Sequence, residues 1–223
     1  MPIPQKKTKE QPKTARERVY TEVREWIVNG TLQPGEKISD QEISQYFSVS
    51  RTPVREAIQM LSDQKLVDIF PGKETRVAPL NTDEAVSTYR IMAELHALAV
   101  ELAYPKLTKE TFEEMKRADL LFCNAEKRKN VEEASQYDQF FHDIFLRLAG
   151  DYFLSEFTNI LLSHIQRIEN IYYKKSDSVS FESHHDIIAA LERQDLPAAK
   201  DAMRNNWIHT LERVQALEQE TDR

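Results

Sequence analysis

The chain has 223 residues, 40% of them hydrophobic and 30% charged, the balance of a soluble globular protein long enough to bury one or two cores. No apolar run approaches the ~20 residues of a membrane span and no signal pattern opens the chain, so a membrane protein is excluded and a cytoplasmic location is expected. Cys123 is the single cysteine, which rules out an intrachain disulfide, and the net charge of −7 divides into +2 for residues 1–80 and −9 for residues 81–223.

Residues 1–14 carry three prolines and four lysines with almost no apolar residue, the composition of a disordered tail. Val19, Val23, Trp26 and Ile27 then form one stripe of a helix over residues 15–28, which Asn29-Gly30 ends.

Residues 38–66 read as two short amphipathic helices joined by a tight turn. Asp40 can cap the first, whose apolar positions Ile43, Tyr46 and Phe47 share one face, and Ser48 and Ser50 break it. Ser50 can cap the second. There Val54, Ile58 and Leu61 form the packing face, and Ser50, Arg51, Thr52 and Arg55 leave a positive, polar opening turn. Pro53 is tolerated in that turn because the amide it lacks would have had no intrahelical partner. Unpaired amides at a helix start attract phosphate, and guanidinium groups pair with phosphate or fork onto guanine O6 and N7. Such a unit reads DNA.

A β-prone run over residues 66–70, a Pro71-Gly72-Lys73 turn and a return through Thr75-Arg76-Val77 add a hairpin, making a winged helix-turn-helix. With TLQPGEKISDQEIS, SVSRTPVREAIQML and the PGKETRV wing, residues 31–77 resemble the GntR family of bacterial transcription regulators. The resemblance implies DNA contacts at Ser50, Arg51, Thr52 and Arg55, with Gly72 and Lys73 in the wing. Gln41 takes the place of a family arginine that contacts DNA. Glu74 takes the place of a second wing glycine and is expected to stiffen the wing and bring a negative charge near DNA.

Residues 79–82 form a linker between a DNA-binding domain over 15–78 and an all-helical domain over 83–220. Beyond the linker Gly150 is the one glycine, and helices are expected at about 83–104 (capped by Thr82), 109–127 (capped by Thr108), 131–149, 151–175, 178–193 and 196–219, the last with Asp195 as cap and Pro197 in its first turn. Six helices without strand signals make an antiparallel bundle, so the fold class is mainly α.

Asp138 and His142 lie four residues apart on one helix face, ~6 Å along its axis, close enough to share a cation. His96 and His164 lack a comparable partner in the sequence and read as structural or surface residues, and Cys123 as an inert packed thiol. R-x-x-x-E at Arg90 and Glu94, D-x-x-x-H at Asp138 and His142, and SHHDIIAALERQDLPAAKDAM from Ser183 resemble the FCD ligand-binding domain of the FadR subfamily across residues 83–215. That resemblance implies a divalent metal ion, zinc, nickel or manganese, held by Asp138, His142 and His184. Asn206 stands where the family has its fourth ligand, a third histidine, and His209, one turn later, is a candidate substitute. A small carboxylate effector is expected beside the metal with Arg90 as its partner, although Arg90 and Glu94 are also spaced to pair within their helix.

Together these features describe a non-enzymatic, effector-controlled transcription repressor that binds a short palindromic operator in double-stranded DNA as a homodimer. Two alternatives are a metal-free pocket for a larger ligand such as acyl-CoA, and a metal-dependent enzyme, for which the sequence offers no separate general base or nucleophile motif.

Overall fold

The computed structural model describes residues 14–173 and 184–221, which form two compact units divided between Pro79 and Leu80. Residues 1–13 of the expected tail, and residues 178–183 of the fifth bundle helix with Ser183 among them, lie outside the described residues.

In the first unit, α1 (Ala15–Val28) opens with a capping box between Thr14 and Glu17. α2 (Asp40–Phe47) is capped by the Ser39 side chain, which accepts from the Glu42 amide, so Asp40 is its first residue and not its cap. Ser48 closes it in the left-handed conformation, φ 54°, which starts the turn to α3 (Arg51–Asp63). Val19, Val23, Ile27, Val54, Ala57, Ile58 and Leu61 bury the faces on which α1 and α3 meet. Truncating a side chain as enclosed as Leu61 typically costs ~2–5 kcal/mol. Tyr46, expected on the buried face, is 71% exposed and edges onto Trp26 and Phe47.

The wing is a three-stranded antiparallel sheet. β2 (Val67–Phe70) and β3 (Glu74–Val77) form the hairpin, with Val67 opposite Val77 and Phe70 opposite Glu74. A two-residue strand, β1 (Lys37–Ile38), which the sequence pattern is too short to reveal, pairs with the other edge of β3. Gly72 takes φ +71° in the turn, a conformation open to glycine at little cost.

The second unit contains α4 (Thr82–Ala103), α5 (Lys109–Lys127), α6 (Val131–Ala149), α7 (Tyr152–Tyr173), α8 (His185–Glu192) and α9 (Leu196–Thr221). Asn81, not Thr82, caps α4 by accepting from the Asp83 and Glu84 amides. Thr108 caps α5 as expected, and the Asp195 carboxylate accepts from the Ala198 amide at the start of α9. α4 packs against α6, α7 and α9, while α5 packs against α6 and α8. Tyr89, Met92, Phe122, Phe141, Phe145 and Ile165 fill the resulting core. Cys123 belongs to its half-buried margin, where burial and the nearby Asp119 raise the thiol above its usual pKa, consistent with an unreactive side chain.

Candidate functional site

In the first unit the opening turn of α3 projects from the packed face. Arg51, Thr52 and Arg55 are exposed, opposite the buried Val54, Ala57, Ile58 and Leu61, because a 3.6-residue period separates the two sets. Ser50 flanks the helix without a side-chain capping bond, which leaves its hydroxyl for another partner. α2 supplies the supports: Arg51 Nη2 donates to Gln41 Oε1 at 3.0 Å, and Arg55 Nε donates to Asp40 Oδ2 at 2.9 Å. Gln41, expected to take the place of a family arginine, therefore holds Arg51 at the start of α3. In the wing, Gly72 and Lys73 are exposed. Glu74 does not stand as a bare charge: Arg76 donates to both of its oxygens, at 2.7 and 3.0 Å, and also to the Gly35 carbonyl at 2.7 Å. These bonds lower the Glu74 pKa.

In the second unit, Asp138 and His142 on α6 meet His184, which immediately precedes α8, and one ligand atom from each lies within 4.8 Å of the others. His184 Nε2 is 3.1 Å from Asp138 Oδ1, and His142 Nε2 is 3.8 Å from the same oxygen. A further carboxylate on α5, Asp119, holds His184 from the other side. Its Oδ1 accepts from the His184 backbone amide at 3.0 Å and lies 3.2 Å from ring Nδ1. Burial pushes the His184 pKa down, but hydrogen bonds to Asp119 and Asp138 override it and hold the ring above its usual pKa. Burial lowers His142 to about 4, with His184 adding to the effect and Asp138 and Asn206 opposing it. His96 falls well below its usual pKa through burial and the adjacent His142.

Asp138 and His142, but not His184 or Asp119, line a cavity with about 30 Å³ open to a water-sized molecule, together with His96, Gln139, Gln166, Glu169 and Trp207. Burial and the charge of Asp138 push Glu169 up to about 8, opposed by its hydrogen bond from the Tyr89 hydroxyl at 2.9 Å. His96, expected to be structural or on the surface, is 3% exposed in the cavity wall, with its ring 5.0 Å from that of His142.

The donor set suits a divalent metal. One carboxylate and two imidazoles are borderline ligands for zinc, nickel or manganese, and the uncharged His142 ring keeps a lone pair available. Asp119 stands where a carboxylate would orient His184 toward such an ion. Asn206 is buried and interacts with the His142 ring, although His142 Nδ1 itself has no hydrogen bond among the described residues. His209 is exposed and lines a separate concavity, not the cavity of the cluster, so the expected substitution of His209 for the family ligand is not built. Arg90 is also exposed and absent from the cavity wall, and Glu94, its expected helical partner, instead accepts two bonds from Arg204 Nε at 2.9 and 3.0 Å.

Residues 15–77 match the family described as "Bacterial regulatory proteins, gntR family", and residues 87–208 match the FCD domain. The chain belongs to the GntR family. This GntR-family chain is 28% identical over 214 residues to an HTH-type transcriptional regulator in an unstable DNA locus of Streptomyces ambofaciens, covering 92% of this chain and 88% of the relative. It is 25% identical over 209 residues to the HTH-type transcriptional repressor RspR of Escherichia coli strain K12, with 92% and 90% covered. The solved structure of E. coli McbR/YncC shares the fold, with a TM-score of 0.76 at 19% identity and coverage of 94% and 100%. The protein is thus a GntR-family DNA-binding transcription regulator with an FCD domain and not an enzyme, which sets aside the metal-dependent enzyme alternative.

Sequence reasoning missed Asp119, Glu169 and Trp207. Asp119 carries no local signal because its partner His184 is 65 residues away, and an aspartate on a helix otherwise reads as a solvated charge.

Proposed function

We propose that this regulator belongs to the FadR subfamily and acts as a homodimeric repressor that binds a short palindromic operator and is controlled by a small molecule in the cavity of its helical unit. The observation that carries the reading is the pairing, in one chain, of an exposed arginine-bearing helix start with a buried carboxylate–imidazole cluster at the edge of a cavity. Ser50, Arg51, Thr52 and Arg55 contact the DNA, with Gln41 steadying Arg51 and Gly72 and Lys73 touching the backbone from the wing. Two-fold protein symmetry matches two-fold operator symmetry. The exposed Ile91 and Leu98, seven residues apart on α4 and so on one helical face, support a dimer contact there.

Asp138, His142 and His184 hold a zinc, nickel or manganese ion, which when bound supplies a positive anchor for an oxygen atom of the effector. Asp119 keeps His184 in the orientation that aims Nε2 at this point. Asn206 acts on the His142 ring. With Arg90 outside the cavity, the arginine clamp expected for a carboxylate effector has no support in the geometry. A cavity with only about 30 Å³ open to a water-sized molecule also disfavours a ligand as large as acyl-CoA. Effector binding changes operator affinity to the extent that the two DNA-binding arrangements of the dimer bind the effector differently.

The test is selection of duplexes from a randomised pool by the full-length protein, paired with elemental analysis of protein purified without chelator. Enrichment of two related half-sites and one metal equivalent that disappears in His184→Ala are expected. Absence of any enriched sequence would overturn the DNA reading. Metal retained in the variant would remove His184 from the site.

A further inference from the structure

The two arginines that open α3 are held through different atoms. Arg55 donates Nε to Asp40 Oδ2 at 2.9 Å, and among the described residues its terminal amines Nη1 and Nη2 have no hydrogen bond. Arg51 instead commits a terminal amine, Nη2, to Gln41 at 3.0 Å. The Arg55 side chain is 69% exposed and that of Asp40 29%, so a half-buried carboxylate anchors a guanidinium that projects into solvent.

The order of hydrogen-bonding groups in the Asp40–Arg55 pair is specific. Arg55 offers two donors in a planar fork, and Asp40 Oδ1, which has no hydrogen bond among the described residues, adds an acceptor beside them. In the major groove a G·C pair presents two acceptors on guanine, N7 and O6, followed by the N4 donor of cytosine. An A·T pair presents an acceptor, a donor, and then the O4 acceptor and methyl group of thymine. Two donors next to an acceptor complement the first pattern. Against the second, an arginine donor meets the adenine N6 amine and the carboxylate meets thymine O4.

A phosphate also fits a guanidinium fork, but Asp40 disfavours one. A carboxylate in contact with the guanidinium offsets the charge that attracts a phosphate and repels the phosphate itself, while the directional fork stays intact. Asp40 lies in the first turn of α2, where a negative side chain is favoured, so the anchor is supported by its own helix as well as by Arg55.

We infer that the Asp40–Arg55 pair reads one G·C base pair in each half-site, with Arg55 donating to guanine O6 and N7 and Asp40 as the positioning residue that fixes the fork. Arg51 makes a contact that does not depend on this guanine. The inference rests on the reading of α3 as the recognition helix of an operator-binding protein.

The test uses the full-length protein and the duplex enriched by selection from a randomised pool, with each guanine replaced in turn by 7-deazaguanine, which lacks the N7 acceptor and still pairs with cytosine. In the parent, one guanine per half-site shows a loss of about tenfold in affinity on replacement. Arg55→Lys keeps the positive charge but not the fork, binds the unmodified duplex about tenfold more weakly, and no longer distinguishes guanine from 7-deazaguanine at that position. Asp40→Ala shrinks the same discrimination to about threefold or less, a coupling to one base atom that a general loosening of α2 would not produce. Arg51→Ala weakens binding and keeps the full discrimination. Arg51 and Arg55 are both exposed, so their variants leave the buried core of the first unit intact. The inference is overturned if no guanine is sensitive to replacement in the parent, if Arg55→Lys keeps the full discrimination, or if Asp40→Ala does. Failure of the pool to enrich any sequence would overturn the operator reading along with it, whereas an enriched palindrome without such a guanine counts against this inference alone.

Discussion

The two units solve opposite electrostatic problems. In the winged helix the polar side chains are exposed and already partnered, Arg51 by Gln41 and Arg55 by Asp40, in contacts that water and salt weaken. In the helical unit the corresponding groups are buried or half-buried, and they are either bound tightly to one another, as in Asp119–His184–Asp138, or keep a ring nitrogen with no hydrogen bond among the described residues, as in His96 and Trp207. Exposed groups can exchange a protein partner for DNA at low cost. Buried groups exchange with water only at a high cost, which favours fixed internal partners.

The contrast predicts where substitutions hurt most. His184→Ala removes the shared partner of two carboxylates and should destabilise the protein by ~3–5 kcal/mol in chemical denaturation as well as abolishing bound metal. A stability equal to that of the parent would show that the cluster is only loosely coupled. Asp119→Asn keeps the shape but loses the carboxylate that orients His184, and should lower metal affinity ~10–100-fold in competition with a chelator. On the exposed side, Arg51→Ala should cost ~1–3 kcal/mol of specific operator binding if it reads a base, with relaxed preference at that position. Gln41→Ala, which only frees Arg51, should cost less than ~1 kcal/mol, and a loss as large as that of Arg51→Ala would mean that Gln41 itself reads DNA.

The smallest effect is the dependence of stability on pH in the metal-free protein. Glu169 rises from 4.5 to about 8 on folding, so the native state keeps a proton that the unfolded chain has released, and stability falls as pH rises through that window. His184, also raised on folding, acts in the same direction above its ordinary 6.5. His142, lowered from 6.5 to about 4, acts in reverse below 6.5, where the unfolded chain binds the proton and stability rises with pH. His96, also held well below 6.5 by burial, acts with His142, so the melting temperature should rise between pH 4.5 and 6.5, where the two histidines outweigh Glu169, and fall from pH 6.5 to pH 8, and Glu169→Gln should reduce the fall. An unchanged slope in that variant would place the titration on His184.

Local patterns carried much of the architecture. The 3.6-residue stripes of α1 and α3, the Thr108 and Asp195 caps, the glycine that closes α6 and the turn at Gly72 are decided by residues a few positions apart, and each is visible in one short window. Asp138 and His142 were legible for the same reason, being one helical turn apart. The caps Ser39 and Asn81 were each misplaced by one residue, because neighbouring Ser, Asp, Asn and Thr side chains are all competent acceptors at a helix start.

The amino-acid sequence by itself determined the reading helix, the hairpin, the helical character of the second unit and half of its ion cluster, since periodicity and turn chemistry act over one or two turns of chain. Only the tertiary structure decided that β1 joins the wing, that Asp119 grips His184, that Glu94 prefers Arg204 to Arg90, and that His96 and Trp207 face a cavity that Arg90 and His209 do not reach. Those outcomes depend on packing between helices far apart in the chain, and burial, which sets whether a polar atom must find a partner, leaves no mark on the local order of residues.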